Sequence, residues 1–228
     1  MAGRVFVAGR RVDKAGTLVA EGAVIGVRGD APFVSRGGVK LDGALTAFGL
    51  DVTGLRCLDV GAGTGGFTDC LLQRGAKSVA AVDVGWGQLA HSLRTDPRVL
   101  CLERTNAREL LPSSIGGTVD LAVVDASFIG LGKLAPALHR NLRAGGTLVA
   151  MIKPQFEVGR EEASRGKGVV RDPAVRRAAI DEARHALEAA GFSILNEADS
   201  TLPGPKGNVE AFVMCRRLSV LSDPDQAP

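Results

Sequence analysis

From residue 55 onward, short apolar segments alternate with segments of helical spacing. The segments at 56–60, 78–84 and 119–124 are almost wholly apolar and have the length of single strands. Continuous apolar strands are typical of a parallel sheet with helices on both faces, because both faces of each strand are buried. The alternation therefore predicts a doubly wound α/β domain. Further strands are expected at 99–102, 146–152, 192–195 and 209–215, and helices at 67–73, 88–94, 131–142 and 173–190.

A stretch of different texture precedes this domain. In residues 1–30, valine and isoleucine alternate with glycine and charged residues, which predicts two or three short strands. Residues 37–48 have helical spacing and lead into the main domain. We therefore expect a small β-rich module at 1–30, the α/β domain at 31–218, and a polar, proline-rich, disordered tail at 219–228.

The composition excludes several classes of protein. With 45% hydrophobic residues, the chain of 228 residues can bury a core, which excludes wholesale disorder. No apolar run reaches the roughly 18–20 residues of a membrane helix, and the first residues lack the apolar stretch of a signal peptide. A net charge of +3 permits nucleic acid as a partner, and residues 1–40 hold seven basic against three acidic side chains.

The four cysteines and three histidines do not have the spacing of disulfide or metal sites. No C-x-x-C pair occurs, and the histidines lie far apart on helical patterns. We therefore expect reduced core cysteines in a cytoplasmic protein, and no metal site.

A glycine-rich loop joins the first strand of the α/β domain to the next helix. It reads Asp59-Val60-Gly61-Ala62-Gly63-Thr64-Gly65-Gly66-Phe67. Glycines let a ligand approach the backbone closely and allow positive φ angles. The G-x-G-x-x-G spacing suits a nicotinamide, flavin or S-adenosylmethionine enzyme, and a tight turn without a ligand is the remaining alternative.

Two acids favour S-adenosylmethionine among these ligands. Asp59 lies two residues before the first glycine, where dinucleotide-binding folds usually have an apolar residue, and its carboxylate can hold the ammonium group of a methionine moiety. Asp83 lies 22 residues after Gly61 at the end of the next strand, and an acid there binds ribose hydroxyls in either class. We therefore expect S-adenosylmethionine as the cofactor.

Charged side chains follow or interrupt other apolar strands. Asp125 ends one strand and Lys153 ends the next, so neighbouring strands would bring them to about 5 Å at the edge where ligands bind. Glu210 shares a strand face with Phe212, and a buried carboxylate there needs a cationic partner. Lys40 lies on the helix before the domain. The alternatives are a structural ion pair for Asp125 and Lys153, an exposed edge charge for Glu210 and a solvated lysine for Lys40.

Two lysines and two carboxylates suit methyl transfer to a hydroxyl group. A ribose hydroxyl is a very weak acid, so it needs a base or a strong polariser during the displacement at the sulfonium carbon. A lysine can act as that base where its surroundings favour the neutral amine. Carboxylates would then hold the geometry.

Seven motifs, in order along nearly the whole chain, resemble the TlyA family. This family is often labelled hemolysin, and its members are rRNA 2′-O-methyltransferases of the FtsJ type. The motifs are Val34-Ser35-Arg36-Gly37-Gly38-Val39-Lys40-Leu41, the 59–67 loop, Ala81-Val82-Asp83-Val84-Gly85-Trp86-Gly87-Gln88-Leu89, Glu103-Arg104-Thr105-Asn106-Ala107-Arg108, Asp125-Ala126-Ser127-Phe128, Lys153-Pro154-Gln155-Phe156-Glu157 and Gly207-Asn208-Val209-Glu210.

The resemblance implies a Rossmann-like S-adenosylmethionine-dependent methyltransferase fold, with seven strands of which the last is antiparallel. It also implies a catalytic tetrad of Lys40, Asp125, Lys153 and Glu210, in which Lys153 is the base or polariser and Asp125 orients it. Phe128 would border the methyl-transfer pocket and Asn106 would contact adenine. The cofactor contacts expected in all are Asp59, Gly61, Ala62, Gly63, Thr64, Gly65, Phe67, Thr68, Asp83, Val84, Asn106, Asp125 and Phe128.

A polar, basic segment at 159–171 follows the catalytic strand and is expected to form a substrate loop or lid; a plain solvated loop is the alternative. Substrate contacts are expected at Arg36, Arg160, Arg165, Lys167 and Arg171. The expected partner is ribosomal RNA or a ribosomal subunit, with no membrane and no metal. Residues 1–30 are interpreted as the strand part of the family's basic RNA-binding module, without its leading helices.

Two other functions stay open at this point. A methyltransferase of a small molecule would keep the same tetrad, and a partial RNA-binding module favours it. A non-catalytic RNA-binding or hemolysin-like protein is the alternative of different class, and the intact tetrad argues against it. Exocyclic base methylation is disfavoured because Asp125-Ala126-Ser127-Phe128 lacks the prolines of its usual clamp, and cytosine-carbon methylation because no cysteine follows either catalytic strand.

Overall fold

Two sheets are found in the part of the chain that the computed structural model describes, namely residues 5–12, 16–27, 31–158 and 168–219. The first sheet consists of β1 (Val5–Val7), β2 (Arg10–Arg11) and β3 (Ile25–Val27), which pair antiparallel in the order β2-β1-β3. These are the short strands expected in the front stretch. The tail at 220–228 lies outside the described residues.

The second sheet has seven strands and forms the centre of the α/β domain. Its strands are β4 (Arg56–Val60), β5 (Ser78–Val82), β6 (Val99–Leu102), β7 (Val119–Val124), β8 (Leu142–Ile152), β9 (Phe192–Asp199) and β10 (Ala211–Arg217). The order is β6-β5-β4-β7-β8-β10-β9, and β10 runs antiparallel to both of its neighbours. The predicted fold class, with seven strands and an antiparallel last strand, is confirmed.

Helices cover both faces of this sheet. They are α1 (Arg36–Ala47), α2 (Gly66–Gln73), α3 (His91–Arg94), α4 (Ala135–Asn141), α5 (Pro154–Glu157) and α6 (Pro173–Ala189). One core cluster lies under α4 and α6 and includes Leu138, Ile180 and Leu187. The other lies under α1 and α2 and includes Leu41 and Leu71. The central strands β4, β5 and β7 therefore bury both of their faces, which explains their continuous apolar sequences.

The strand order predicts the edge of the sheet at which a ligand binds. Strands β4, β5, β7 and β8 are parallel, so their carboxyl ends lie at the same edge. The strand order reverses between the neighbouring strands β4 and β7, because β5 and β6 lie on one side of this point and β8 lies on the other. Open α/β sheets bind ligands at such a switch point.

A glycine at the start of α2 lets this helix approach α1 closely. A Cβ atom on Gly66 would lie 2.1 Å from Ser35 Oγ and 2.8 Å from the backbone nitrogen of Gly38, so only glycine fits. Ser35 caps α1 by accepting a hydrogen bond from the backbone N–H of Gly37 (3.3 Å). The contact fixes α1, which carries Lys40, against the helix that follows the glycine loop.

Several element boundaries differ from the sequence prediction. The helix expected at 88–94 is reduced to α3, because Ala90 is extended (φ −53°, ψ 140°) and its N–H donates to the backbone oxygen of Thr64 (3.2 Å). The strand expected at 78–84 ends at Val82. The helix expected at 131–142 is split into a 3₁₀ turn, Leu131–Lys133, and α4.

The last strands also differ, since β9 extends to Asp199 and β10 begins after Glu210. The long helix α6 follows the prediction more closely: Asp172 caps it by accepting from the backbone N–H of Ala174 (2.8 Å), and Pro173 occupies its first turn. None of the helices in the described part is long and apolar enough to cross a membrane.

Candidate active site

The carboxyl ends of β7 and β8 bring Asp125 and Lys153 together. Lys153 Nζ lies 2.5 Å from Asp125 Oδ1, and it donates hydrogen bonds to the backbone oxygen of Asp125 (3.2 Å) and to Ser127 Oγ (2.9 Å). Lys153 is 8% exposed. Burial raises the pKa of the Asp125 carboxyl, while the Lys153 ammonium opposes this shift. No role was predicted for Ser127, which helps to fix the Lys153 amine.

A second buried ion pair joins α1 to the segment before β10. Lys40 Nζ contacts Glu210 Oε2, and the two residues are 6% and 2% exposed. Lys40 is thus not a solvated helix lysine, and Glu210 is not an exposed edge charge. Both side chains act electrostatically on Asp125, so the predicted tetrad forms one charged cluster in the structure.

The glycine loop has the conformation that its sequence suggests. Gly61, Gly63 and Gly65 all have positive φ angles, of 84°, 51° and 94°. A Cβ atom on Gly61 would lie 2.8 Å from the backbone oxygen of Asp125, whereas one on Gly63 would meet nothing within 4 Å. The loop is therefore packed tightly against the end of β7 at Gly61 and open above Gly63, where a ligand can approach the backbone.

Asp59 is fully buried at the end of β4, beneath this loop. Its Oδ2 accepts a hydrogen bond from Thr68 Oγ1 (2.7 Å), and its Oδ1 has no partner among the described residues. Burial raises the pKa of the Asp59 carboxyl to about 7, and the hydrogen bond from Thr68 limits this rise. A buried acceptor without a donor is costly, so Oδ1 is suited to a cationic donor from a ligand.

Asp83 organises the loop from the neighbouring strand. Its Oδ2 accepts from the N–H of Gly63 (2.8 Å) and its Oδ1 from the N–H of Gly85 (2.7 Å). Each carboxylate oxygen can accept a further hydrogen bond, as from a ribose hydroxyl. Val84, next in the chain, is exposed at the same edge.

The other expected cofactor contacts lie in different environments. Ala62 is buried and Thr64 exposed within the loop. The ring of Phe67 packs in the core, 6.1 Å from that of Phe212, so Phe67 can offer a ligand only its backbone. Asn106 caps a 3₁₀ turn (Ala107–Glu109) by accepting from the N–H of Arg108 (3.2 Å).

Phe128 is the most exposed aromatic residue of this edge. It is 91% exposed, has a positive φ of 65° and lies 5.1 Å from the ring of Phe156. A positive φ is strained for a bulky residue. The loop after β7 therefore holds the ring out at the rim of the site.

The expected substrate contacts are only partly described. Arg36 is exposed and donates to the backbone oxygen of Pro203 (2.8 Å), and Arg171 is exposed. Arg160, Arg165 and Lys167 lie outside the described residues.

Asn208 was missed as a positioning residue. It is buried, its side chain accepts from the N–H of Val170 (2.9 Å), and it donates to the backbone oxygen of Gly168 (2.8 Å). The clamp ties the segment after the basic stretch to the loop that carries Glu210. The only hint in the sequence is that Asn208 lies two residues before Glu210 in the same motif.

The set of charged groups fits S-adenosylmethionine better than a dinucleotide. Three carboxylates, those of Asp59, Asp83 and Asp125, lie around the glycine loop, and the N–H of Gly63 is already used by Asp83. A pyrophosphate needs free N–H groups and is repelled by carboxylates. A ligand with an ammonium and a sulfonium group is attracted by the same carboxylates and supplies the donor that Asp59 Oδ1 lacks.

Comparison with known proteins agrees with this geometry. Residues 33–218 match the family model described as FtsJ-like methyltransferase. The chain is 51% identical over 218 residues to a protein of Mycobacterium tuberculosis named 16S/23S rRNA (cytidine-2′-O)-methyltransferase TlyA, which covers 94% of this chain and 81% of the relative.

The chain belongs to the FtsJ-like methyltransferase family. A solved structure from Streptococcus thermophilus, described as a hemolysin, matches with a TM-score of 0.83 and 39% identity over 95% of this chain and 80% of that one. An S-adenosylmethionine dependent methyltransferase from Mesorhizobium loti shares the fold, with a TM-score of 0.55 and 21% identity over 77% of this chain and 96% of that one. The predicted family, enzyme class and cofactor are confirmed, and the hemolysin label occurs among the relatives as expected.

Proposed function

We propose that this FtsJ-like methyltransferase transfers a methyl group from S-adenosylmethionine to a ribose 2′-hydroxyl of ribosomal RNA. The observation that carries the proposal is the buried cluster of Lys40, Asp125, Lys153 and Glu210 beside the glycine loop. The segment at 125–128 lacks the prolines of a base-specific clamp, and the lysines of the cluster suit a hydroxyl group rather than a base nitrogen. The names of the relatives agree with that substrate.

The cofactor would be held by the residues that lie around the glycine loop. Asp59 would bind its ammonium group, Asp83 its ribose hydroxyls, and the backbone at Gly63 would lie against it. When bound, S-adenosylmethionine supplies a methyl group on a positively charged sulfur atom. We expect Val84, Asn106 and Phe128 to border the adenosine and the methyl-transfer pocket.

Lys153 would act on the hydroxyl group. Three contacts fix the position of its Nζ at the carboxyl end of β8. During methyl transfer the substrate hydroxyl would give up its proton, and Lys153 would take up or polarise that proton at Nζ. Asp125 orients the amine and stabilises the ammonium that forms, in the manner of a base and its orienting carboxylate.

The Lys40–Glu210 pair would position the ribose. Both residues are buried at the side of the cluster nearest α1 and β10, where the Lys40 ammonium can hydrogen-bond oxygens next to the reacting hydroxyl. The pair also fixes α1 to the last strand. Its role is therefore to orient the substrate, while the proton moves at Lys153.

RNA would approach over a basic rim. Arg36, Arg171 and Lys206 are exposed around the Lys40–Glu210 side of the site. We further propose that 31–218 is the methyltransferase domain, that the β-rich module at 1–30 is part of an RNA-binding module, and that the enzyme works in the cytoplasm, where ribosomes are found.

Methyl transfer with labelled cofactor tests this function. Small subunits, large subunits, whole ribosomes and free ribosomal RNA are incubated with the protein, and the labelled nucleotide is mapped. Label on a ribose 2′-oxygen is the expected result. Label on a base would contradict the role of Lys153, and the absence of label from every RNA would favour a small-molecule substrate.

A further inference from the structure

An exposed tryptophan lies beside the cofactor site without a role in the chemistry described above. Trp86 is the only tryptophan of the chain, and it is 68% exposed. It follows Asp83 by three residues in the loop after β5. The guanidinium of Arg104, in the loop after β6, lies 4.7 Å from the centre of its ring. Both residues therefore stand at the same edge of the sheet as the catalytic cluster.

The backbone holds this pair in place from both sides. Arg104 has a positive φ of 55°, a strained value for a non-glycine residue, and its N–H donates to the backbone oxygen of Gly85 (2.9 Å). The N–H of the next residue, Thr105, donates to the backbone oxygen of Asp83 (2.9 Å). The loop is thus tied directly to the residue that we expect to bind the cofactor ribose.

Glu103 fixes the other side of the same loop. Its carboxylate accepts from the side chain of Arg94 and from the N–H groups of Gly87, Gln88 and Leu89 (2.9–3.3 Å). Arg94 and the N–H of Gly87 hold the pKa of Glu103 down to about 2. Arg104 makes no ion pair with Glu103 or with any other carboxylate of the described residues.

We infer that Trp86 and Arg104 form a stacking platform for an unpaired base of the RNA substrate, next to the methylated nucleotide. The inference rests on the proposed function. Bases of single-stranded RNA stack on aromatic rings and on guanidinium planes, and the cation also attracts the RNA backbone. A rigid, exposed tryptophan paired with an unneutralised arginine has both properties.

The position of the platform suits a neighbouring nucleotide rather than the target itself. Strand β5 lies three strand positions from β8 in the sheet. At about 4.8 Å per strand, the base of the Trp86 loop is about 14 Å from the end of β8, which carries Lys153. A base on Trp86 would therefore belong to the same single strand as the target, on the cofactor side of the site.

The fluorescence of Trp86 can test this directly, because the chain has one tryptophan and no tyrosine. We expect a short single-stranded oligocytidylate to quench the emission saturably, and a double-stranded RNA of the same length to quench it much less. S-adenosylhomocysteine alone should quench only a small part of the Trp86 emission. If S-adenosylhomocysteine alone quenches Trp86 and the oligonucleotide does not, Trp86 covers the cofactor and the inference is wrong.

Kinetics with the full chain provide the second measurement. Trp86→Ala should raise the KM for RNA about tenfold, the range expected for one lost base stack, while Trp86→Phe keeps the KM within about threefold of wild type. The affinity for S-adenosylhomocysteine, measured by calorimetry, should stay within about twofold. Arg104→Ala should also raise the KM, and Arg98→Ala is the matched control, since Arg98 is exposed at the opposite edge, just before β6.

The outcomes separate this inference from the proposed function. If wild-type protein labels RNA but Trp86→Ala has an unchanged KM, the platform is wrong and the function stands. If no RNA is labelled, the function is wrong, while saturable quenching by oligocytidylate would still support the platform. Quenching by ribosomal proteins stripped of RNA, without quenching by the oligonucleotide, would assign Trp86 to a protein contact and overturn the inference.

Discussion

Asp59 is fully buried, so its negative charge lowers the stability of the folded protein. Its carboxyl has a pKa of about 7 in the folded chain against an ordinary value of 3.8. Between about pH 4 and pH 7 the folded chain keeps a proton that the unfolded chain has lost, so stability falls as the pH rises through this window. The full effect is about 4 kcal/mol above pH 7. A cationic ligand group next to Oδ1 would restore part of this lost stability.

We therefore predict that Asp59→Asn stabilises the ligand-free protein at about pH 8 and changes little at about pH 5. The gain is expected to be on the order of 1–3 kcal/mol, less than the full effect because the amide nitrogen lacks an acceptor. Urea unfolding at both pH values measures it. An equal change in stability at the two pH values would contradict the titration of Asp59.

The same substitution should harm cofactor binding. The Asp59 carboxylate is expected to pair with the ammonium group, so the affinity of the wild-type protein for S-adenosylhomocysteine should rise as the pH rises through about 7. In Asp59→Asn the affinity at about pH 8 should fall tenfold or more and lose its pH dependence. Calorimetry at several pH values measures both. A wild-type affinity that is independent of pH would remove Asp59 from the ammonium site.

Lys153 is the residue whose loss should stop the reaction while binding continues. We predict that Lys153→Ala lowers the methyl-transfer rate by about 10²–10⁴-fold, the usual contribution of a general base. S-adenosylhomocysteine should still bind, because Asp59 and Asp83 are unchanged. Lys133→Ala is the matched control, since Lys133 is exposed in a 3₁₀ turn. A rate close to wild type in Lys153→Ala would assign the proton transfer to another group.

At this scale the sequence predicts some contacts and cannot predict others. Asp125 and Lys153 end strands that the apolar pattern already suggests are neighbours, so their meeting follows from local information. The contact of Lys40 with Glu210 joins residues 170 positions apart, and no local pattern encodes it. Only the family resemblance suggested that pair. The sequence does not reveal that Asp59 Oδ1 lacks a hydrogen-bond partner, because this depends on which groups of the folded chain lie around it.

Among the helices and strands, the position of α1 determines whether Lys40 lies beside the other three residues of the tetrad. It carries Lys40, and its position depends on its contact with α2 at Gly66. A methyl group on Gly66 would overlap Ser35 Oγ and approach the backbone of Gly38, so the two helices must separate. The glycine at the start of α2 thus serves the packing of two helices as well as the loop.

We predict that Gly66→Ala destabilises the protein by about 1–3 kcal/mol, the range for overpacking a close contact. Methyl transfer should fall more than S-adenosylhomocysteine binding, because the displaced element carries Lys40 rather than Asp59 or Asp83. Thermal unfolding and calorimetry measure the two effects. Gly26→Ala is the control, since a Cβ there would meet nothing within 4 Å and its φ is negative. Equal losses in the two variants would mean that the helix contact is unimportant.

Most elements could be predicted because their apolar periodicity is strong. The exceptions have different physical causes. The helix expected at 88–94 begins only at His91, because Ala90 is extended (φ −53°, ψ 140°) and its N–H donates to the backbone oxygen of Thr64 (3.2 Å). That partner is distant in sequence, so periodicity alone cannot reveal it. The stretch at 131–142 is divided by a local feature, Pro136, which lacks an N–H group and lies in the first turn of α4.

At the scale of the whole molecule, charge is distributed so that two ligands meet at one edge. The net charge is only +3. Yet the described rim of the site carries the exposed cations Arg36, Arg104, Arg171 and Lys206, while the carboxylates Asp59, Asp83 and Asp125 lie deeper, around the glycine loop. A cationic cofactor and an anionic polymer can therefore bind side by side, each facing charges of the opposite sign. The composition alone suggests neither.

This arrangement predicts that salt affects the two ligands differently. Each phosphate neutralised by the rim releases counterions, so four contacts with single-stranded RNA give a slope of about −2.8 in log affinity against log salt. Raising KCl from about 50 to about 200 mM should then weaken RNA binding about fiftyfold. S-adenosylhomocysteine would meet its carboxylates at close range, and Asp59 among them is fully buried, so screening is weak and the affinity should change less than about twofold.

Fluorescence anisotropy of labelled RNA and calorimetry with S-adenosylhomocysteine measure the two slopes. Arg171→Ala should make the RNA slope shallower by about 0.7. Arg216→Ala should leave it unchanged, because Arg216 is exposed near the end of β10, at the opposite edge of the sheet. If the RNA affinity falls less than about threefold over this range, fewer than two phosphates are neutralised, and the RNA must approach over a different surface from the rim that holds Arg36, Arg104, Arg171 and Lys206.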